Sequence, residues 1–143
     1  MEATLHALSL EYNEYYALAP RKSGKTQALI TEAIRENAAA CAAGARQIFF
    51  AKNIDSAQQA RDRYLRSGCA RAEFREFDPS IDLRGAFVYV DDAEHVLGTH
   101  AHANLIFDAR KIRAVGTKGP NHGHVASLLG IHTAELSNEP RHA

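Results

Sequence analysis

With 143 residues, 45% of them hydrophobic and 24% charged, the chain has the size and composition of one globular domain with a sizeable core. Its 17 basic residues balance 17 acidic ones, which excludes a global basic field for holding nucleic acid and leaves only a local patch for that purpose. No apolar run approaches the roughly 18 residues of a membrane span, and the first residues lack a basic stretch followed by an apolar one. Cys41 and Cys69 stand in no ligand-like spacing. Together these features predict a cytoplasmic protein in a reduced compartment, without a membrane partner.

Residues 1–14 carry a weak helical pattern through Leu5, Leu8 and Leu10 and predict a lead-in helix or arm. Tyr15 to Ala19 predicts a short buried strand. The stretch Ala19-Pro20-Arg21-Lys22-Ser23-Gly24-Lys25-Thr26 follows, with the form A-x-x-x-x-G-K-T of a phosphate-binding loop in which Ala opens the pattern. Gly24 lets the backbone curl so that successive N–H groups face phosphate oxygens. Lys25 brings a mobile charge to the β- and γ-phosphates, and the Thr26 hydroxyl can ligate Mg²⁺. Pro20, Arg21, Lys22, Ser23, Gly24, Lys25, Thr26 and Gln27 are therefore the expected nucleotide-binding residues. The helix predicted from Gln27 to Ala43 presents Leu29, Ile30, Ala33 and Ile34 inward and turns Glu32, Arg35 and Glu36 outward, with Cys41 as a small packing residue and Gly44 as its stop.

Gln47 to Ala51 predicts a buried parallel strand. Asp55 or Ser56 is expected to cap a helix from about Ala57 to Arg66, whose polar residues mostly meet water. Lys52 and Asn53, just past the strand, stand where DNA or phosphate could be contacted. Arg71 to Phe77 alternates like an edge strand, and Asp82 to Gly85 is a turn. Phe87 to Val90 predicts a central strand with Asp91, Asp92 and Glu94 at its C-terminal end, where open α/β sheets bind ligands. A short helix from Glu94 to Ala103, the apolar run Leu105-Ile106-Phe107, a strand from Lys111 to Thr117, a polar turn through Asn121 and a helix from His124 to Leu136 complete the series. The pattern predicts a single α/β domain over 1–143, a three-layer sandwich with a mainly parallel sheet of about five strands and a flexible tail over 137–143.

Asp91 is the natural metal partner of Thr26, and Asp92 or Glu94 can orient an attacking water. The alternative is an N-cap with an acidic first turn, which Asp92 and Glu94 also satisfy. The eight histidines include two H-x-H pairs, His100 with His102 and His122 with His124, but both fall in polar segments without a cysteine and read as solvated rather than as zinc ligands. Arg110 and Arg113 read as surface salt-bridging residues, or as donors to a neighbour's site in an assembly.

The loop Arg21 to Thr26 and the strand ending Asp91-Asp92-Ala93 resemble the Walker A and Walker B motifs of P-loop ATPases, and within them most resemble the ATPase core of viral large terminases and related helicase-like motors. Arg21, three residues before Gly24, matches the arginine that this family uses for γ-phosphate sensing, and Val115 to Pro120 is similar to its coupling motif, with Thr117 as the coupling residue. The resemblance covers about residues 12–130 and implies a Mg²⁺-dependent ATPase with ATP as ligand, Thr26 and Asp91 at the metal, and Arg21, Lys25, Asp92, Glu94 and Thr117 in catalysis. It also implies a virus-encoded packaging role, with DNA and a homo-oligomer or larger motor assembly as partners. Asp92 stands where the family has Glu, one methylene longer. That departure keeps open a nucleotide-binding regulatory or assembly module with little turnover, and a small phosphotransferase is the third reading.

Overall fold

Strands buried on both faces read as continuous apolar runs, and such runs form the middle of this sheet. The computed structural model describes residues 1–69, 71–78, 80–98, 108–119 and 122–136. Six strands pair within it: β1 (Glu14–Ala19), β2 (Gln47–Ala51), β3 (Ala72–Glu76), β4 (Phe87–Val90), β5 (Lys111–Thr117) and β6 (His132–Glu135). Their order is β3-β2-β4-β5-β1-β6, and every neighbouring pair is parallel. The fold is α/β, an all-parallel sheet flanked by helices.

Alternation along each strand sorts the core into two layers. Tyr15, Ala17, Phe49, Tyr89 and Val115 meet α1 (Glu2–Glu11), α2 (Lys25–Ala43) and α3 (Ile54–Arg66) on one face. Tyr16, Leu18, Phe50, Val88, Val90 and Ala114 meet α4 (Ala93–Val96) and α5 (His122–Leu129) on the other. Crossovers between parallel strands are right-handed, so connections that step toward β3 run over one face and those that step toward β6 run over the other. The chain leaves β1 through α2 and leaves its neighbour β5 through α5, on opposite faces. That divergence opens a crevice at the C-terminal ends of the strands.

Several expectations change. The helix expected from His124 to Leu136 stops at Leu129; the chain turns at Gly130 (φ 62°) and enters β6. This strand is short and largely exposed, so no apolar pattern announces it. Pairing with β1, from Tyr15 opposite His132 to Leu18 opposite Glu135, makes it a strand, and the sheet has six rather than five. The lead-in segment is a packed helix: Leu5 is fully buried while Leu10 is 76% exposed. Cys41 is exposed rather than a packing residue. The short helix expected from Glu94 to Ala103 runs only from Ala93 to Val96, with Leu97 as its C-cap and Gly98 outside it. Residues 99–107, which include the pair His100 and His102 and the run Leu105-Ile106-Phe107, and Pro120, Asn121 and the tail 137–143 lie outside the described residues.

The start of α3 also moves. Asn53, not Asp55 or Ser56, is the N-cap, its side-chain oxygen accepting the Ser56 amide at 2.8 Å. Asn53→Ala should therefore cost about 1 kcal/mol in denaturant unfolding.

The largest correction concerns charge. Glu32 and Glu36, expected on the outer face of α2, are 1% and 8% exposed, and Arg113 is 0% exposed instead of lying on the surface. The Arg113 guanidinium donates to both Glu36 oxygens, at 3.3 Å from Nε and 2.8 Å from Nη2. It also donates to the carbonyls of Ser9, Tyr12 and Asn13 where α1 meets β1. The Tyr89 hydroxyl donates to Glu36 at 2.8 Å. Glu32 faces His6 of α1, 3.1 Å away, and Arg35. An amphipathic pattern records polarity but not a buried partner arriving from another strand, so both carboxylates were misread. Fully enclosed, Arg113 has no path to a neighbour's site.

Candidate functional site

A cleft of about 560 Å³ lies at the C-terminal ends of β1, β2, β4 and β5. Its floor is the turn from β1 into α2. Gly24 has φ 82°, a left-handed value open to glycine at no cost in Cβ contact, and it is the N-cap of α2. With no side chain to cap, it leaves the first N–H groups of the helix without a side-chain partner, which favours an anion there. Ser23 Oγ is buried and has no hydrogen-bond partner. Lys25 lies over the loop, its Nζ 3.4 Å from the Pro20 carbonyl.

The opposite side of the floor is acidic. Thr26 Oγ1 donates to Asp91, 3.1 Å from each carboxylate oxygen, although the two residues are 65 positions apart. Burial pushes the Asp91 carboxyl above the usual range and repulsion from Asp92 adds to this, while the Thr26 hydrogen bond and the Lys25 charge act against them. Such a carboxylate gains from a cation. One carboxylate, one hydroxyl and substrate phosphate oxygens form a donor set that suits Mg²⁺. Among the described residues no cluster of three or more His, Cys, Asp or Glu could hold a metal by itself, so phosphate and water would complete this one.

Asp92, the N-cap of α4, takes a left-handed backbone, φ 54° and ψ 53°, and makes no side-chain capping hydrogen bond. The capping alternative holds in position, with Asp92 as N-cap and Glu94 in the first turn, but the Asp92 side chain takes no part in the cap. Lys22, at φ 57°, is also strained and also borders the cleft. Non-glycine residues held in this region point toward functional sites. Glu94 accepts the Tyr16 hydroxyl at 2.9 Å and the Thr117 amide at 3.0 Å, both on Oε1. Burial pushes the Glu94 carboxyl above its usual range, the Tyr16 hydrogen bond acts against this, and hydrogen bonding and repulsion from Asp92 push it up again.

Of the residues expected from the sequence, Arg21, Lys22, Lys25, Thr26, Asp91, Asp92, Glu94 and Thr117 line one cleft. Gln27 does not: its side chain bonds Thr31 and faces Arg63 of α3 at 3.4 Å. Asn53 is committed to capping, whereas Lys52 lines the cleft. His122 bonds back to Gly119 in its own turn.

The sequence reading missed one wall. Ser56, Gln59, Ala60 and Arg63 of α3 face the cleft. Their i, i+3, i+4, i+7 spacing is one helix stripe, and a helix leaving the ligand-bearing end of β2 turns one stripe toward that end. The signal was present, but with the helix start placed three residues late it read as a solvated face. The walls segregate charge: Arg21, Lys22, Lys25, Lys52 and Arg63 on the loop and α3 sides, Asp91, Asp92 and Glu94 on the other. A polyanion with a bound cation matches that division.

No protein-family model matches the chain, and no curated protein matches it.

Proposed function

We propose that the chain is a Mg²⁺-dependent ATPase of the P-loop type, and the contact between the Thr26 hydroxyl and the Asp91 carboxylate is the observation that carries this reading. It supports the reading because the metal-ligand types that the two motifs need converge beside an open helix N-terminus, a lysine and an orphaned buried hydroxyl. ATP phosphates lie against the loop and Lys25. Thr26 and Asp91 would hold Mg²⁺, which would supply neutralisation of phosphate charge. Arg21 adds a cation for the charge that develops on the transferred group. In hydrolysis the water oxygen bonds to the terminal phosphorus, the bridging P–O bond breaks with its electron pair going to the diphosphate, and the water proton passes to Glu94. Asp92 keeps that carboxylate basic by repulsion, and Thr117, bonded to Glu94 through its amide, couples the site to β5.

The terminase resemblance extends the proposal to a DNA-packaging or helicase-like motor core in a homo-oligomer or larger assembly. The test is phosphate release from ATP with and without Mg²⁺ and with and without DNA. Wild type should turn over only with Mg²⁺, and Lys25→Ala should lose about a hundredfold or more in kcat/KM. Stimulation by DNA supports the motor extension, and its lack removes that extension alone. Nucleotide binding without turnover leaves the regulatory module, and no binding at all removes the nucleotide reading.

A further inference from the structure

The Glu94 carboxylate is more tightly held than its place at the start of a four-residue helix requires. One of its two anchors, Tyr16, comes from the middle of β1, from the face opposite α2, and is fully buried. The other, the Thr117 amide, comes from the last residue of β5. Both donors meet Oε1, so two strands fix the rotation of the carboxylate as well as its position.

The backbone beneath it is equally specific. A Cβ at residue 116 would stand 1.6 Å from Glu94 Oε1, 2.8 Å from its Cδ and 2.9 Å from the Tyr16 hydroxyl. Gly116 does not have a left-handed backbone, so turn geometry does not call for glycine here. What calls for it is the close approach of the carboxylate. Gly116, Tyr16 and the Thr117 amide together make a seat shaped for one carboxyl group at the rim of the cleft.

We propose that Tyr16 and Gly116 are positioning residues that seat the Glu94 carboxylate as the water-activating base, so that Glu94 rather than the shorter Asp92 does this work. The proposal rests on the ATPase reading and names which carboxylate serves it. The physical case is rigidity. A general base must keep hydrogen-bond reach of its water, and a glutamate with three free torsions does so only when its head group is fixed. The side-chain hydrogen bond given for Asp92 is to Glu94 itself rather than to a strand, and its backbone is strained. The Tyr16 hydrogen bond also favours the ionised form of Glu94, the form that accepts a proton. Burial and the Glu94 charge hold the Tyr16 phenol well above its ordinary range, so the hydroxyl stays the donor throughout the working pH range.

The test compares Tyr16→Phe, Gly116→Ala and Glu94→Gln with wild type in steady-state ATP hydrolysis across pH, with the carboxyl titration of Glu94 followed by NMR in wild type and Tyr16→Phe. Tyr16→Phe, nearly isosteric, should lower kcat about tenfold with KM within about twofold. Losing the donor should move the acid limb of kcat and the Glu94 titration to higher pH. Gly116→Ala should fall to the level of Glu94→Gln while still binding a fluorescent ATP analogue. In the double variant Tyr16→Phe/Glu94→Gln the losses should not multiply. A Tyr16→Phe protein that turns over with unchanged kcat and unchanged acid limb overturns the seat, as does an unmoved Glu94 titration. A wild type that neither binds nor hydrolyses ATP overturns the ATPase reading and the base role that rests on it.

Discussion

Replacing Arg113 with leucine should destabilise the protein by about 3–5 kcal/mol. Removal of one member of a buried ion pair leaves its partner charged in a poorly solvated place, and among the described residues Glu36 would then keep the Tyr89 hydroxyl and Lys111, 3.9 Å away. The loss extends beyond the pair. The same guanidinium donates to the carbonyls of Ser9, Tyr12 and Asn13, so the junction of α1 with β1 loses these hydrogen bonds as well, while Asn13 keeps the Ile112 amide. For a chain of this length the melting temperature should drop on the order of 10 °C. Leucine at both 36 and 113 should recover part of it, because removing both charges removes the uncompensated one, although Tyr89 loses its carboxylate acceptor and the three carbonyls lose the guanidinium. Denaturant unfolding of the two single variants and the double variant checks this. Equal stability of Arg113→Leu and wild type would mean the pair is not buried as described.

Asp91→Asn should lower Mg²⁺-dependent turnover about a hundredfold to a thousandfold while leaving the nucleotide-free protein at least as stable as wild type. The two effects share a cause. Burial raises the Asp91 carboxyl above its usual range, so the folded state holds that proton to higher pH than the unfolded chain does. Between the unfolded and folded values the folded state binds more protons, and stability falls as pH rises through that window. At neutral pH the ionised group therefore costs stability, and asparagine removes the cost while still accepting the Thr26 hydroxyl. ATP with Mg²⁺ should raise the melting temperature of wild type and have little such effect on the variant. Thermal melts at pH 7 with and without ligand, beside phosphate release, read both halves. A variant that melts well below wild type would mean that Asp91 holds the fold rather than the metal.

Local signals carried much of the architecture. Tyr15 to Ala19, Gln47 to Ala51 and Phe87 to Val90 were legible as strands because a strand covered on both faces needs apolar residues at nearly every position, the buried polar Gln47 being the exception. β6 was not legible, since its four residues are mostly exposed and become a strand only by pairing with β1. That the loop and Asp91 would stand at one cleft was legible because both follow apolar strands at the ligand-bearing end of a parallel sheet. The α3 wall of the cleft was not, because Ser56, Gln59 and Arg63 are ordinary solvent-facing types until the helix is placed beside α2.

By itself the sequence determined the α/β class, the phosphate-loop pattern with its carboxylate strand, and the neutral overall charge, all of which depend on residues near one another in the chain. Only the tertiary structure decided which polar groups are buried and with whom. Glu36 met Arg113 across 77 positions, Thr26 met Asp91 across 65, and Tyr16 met Glu94 across 78. A side chain's polarity is written in the sequence, whereas its solvation and its partner follow from how the sheet brings distant strands together. Those two quantities set the cost of a buried charge and the orientation of the Glu94 carboxylate.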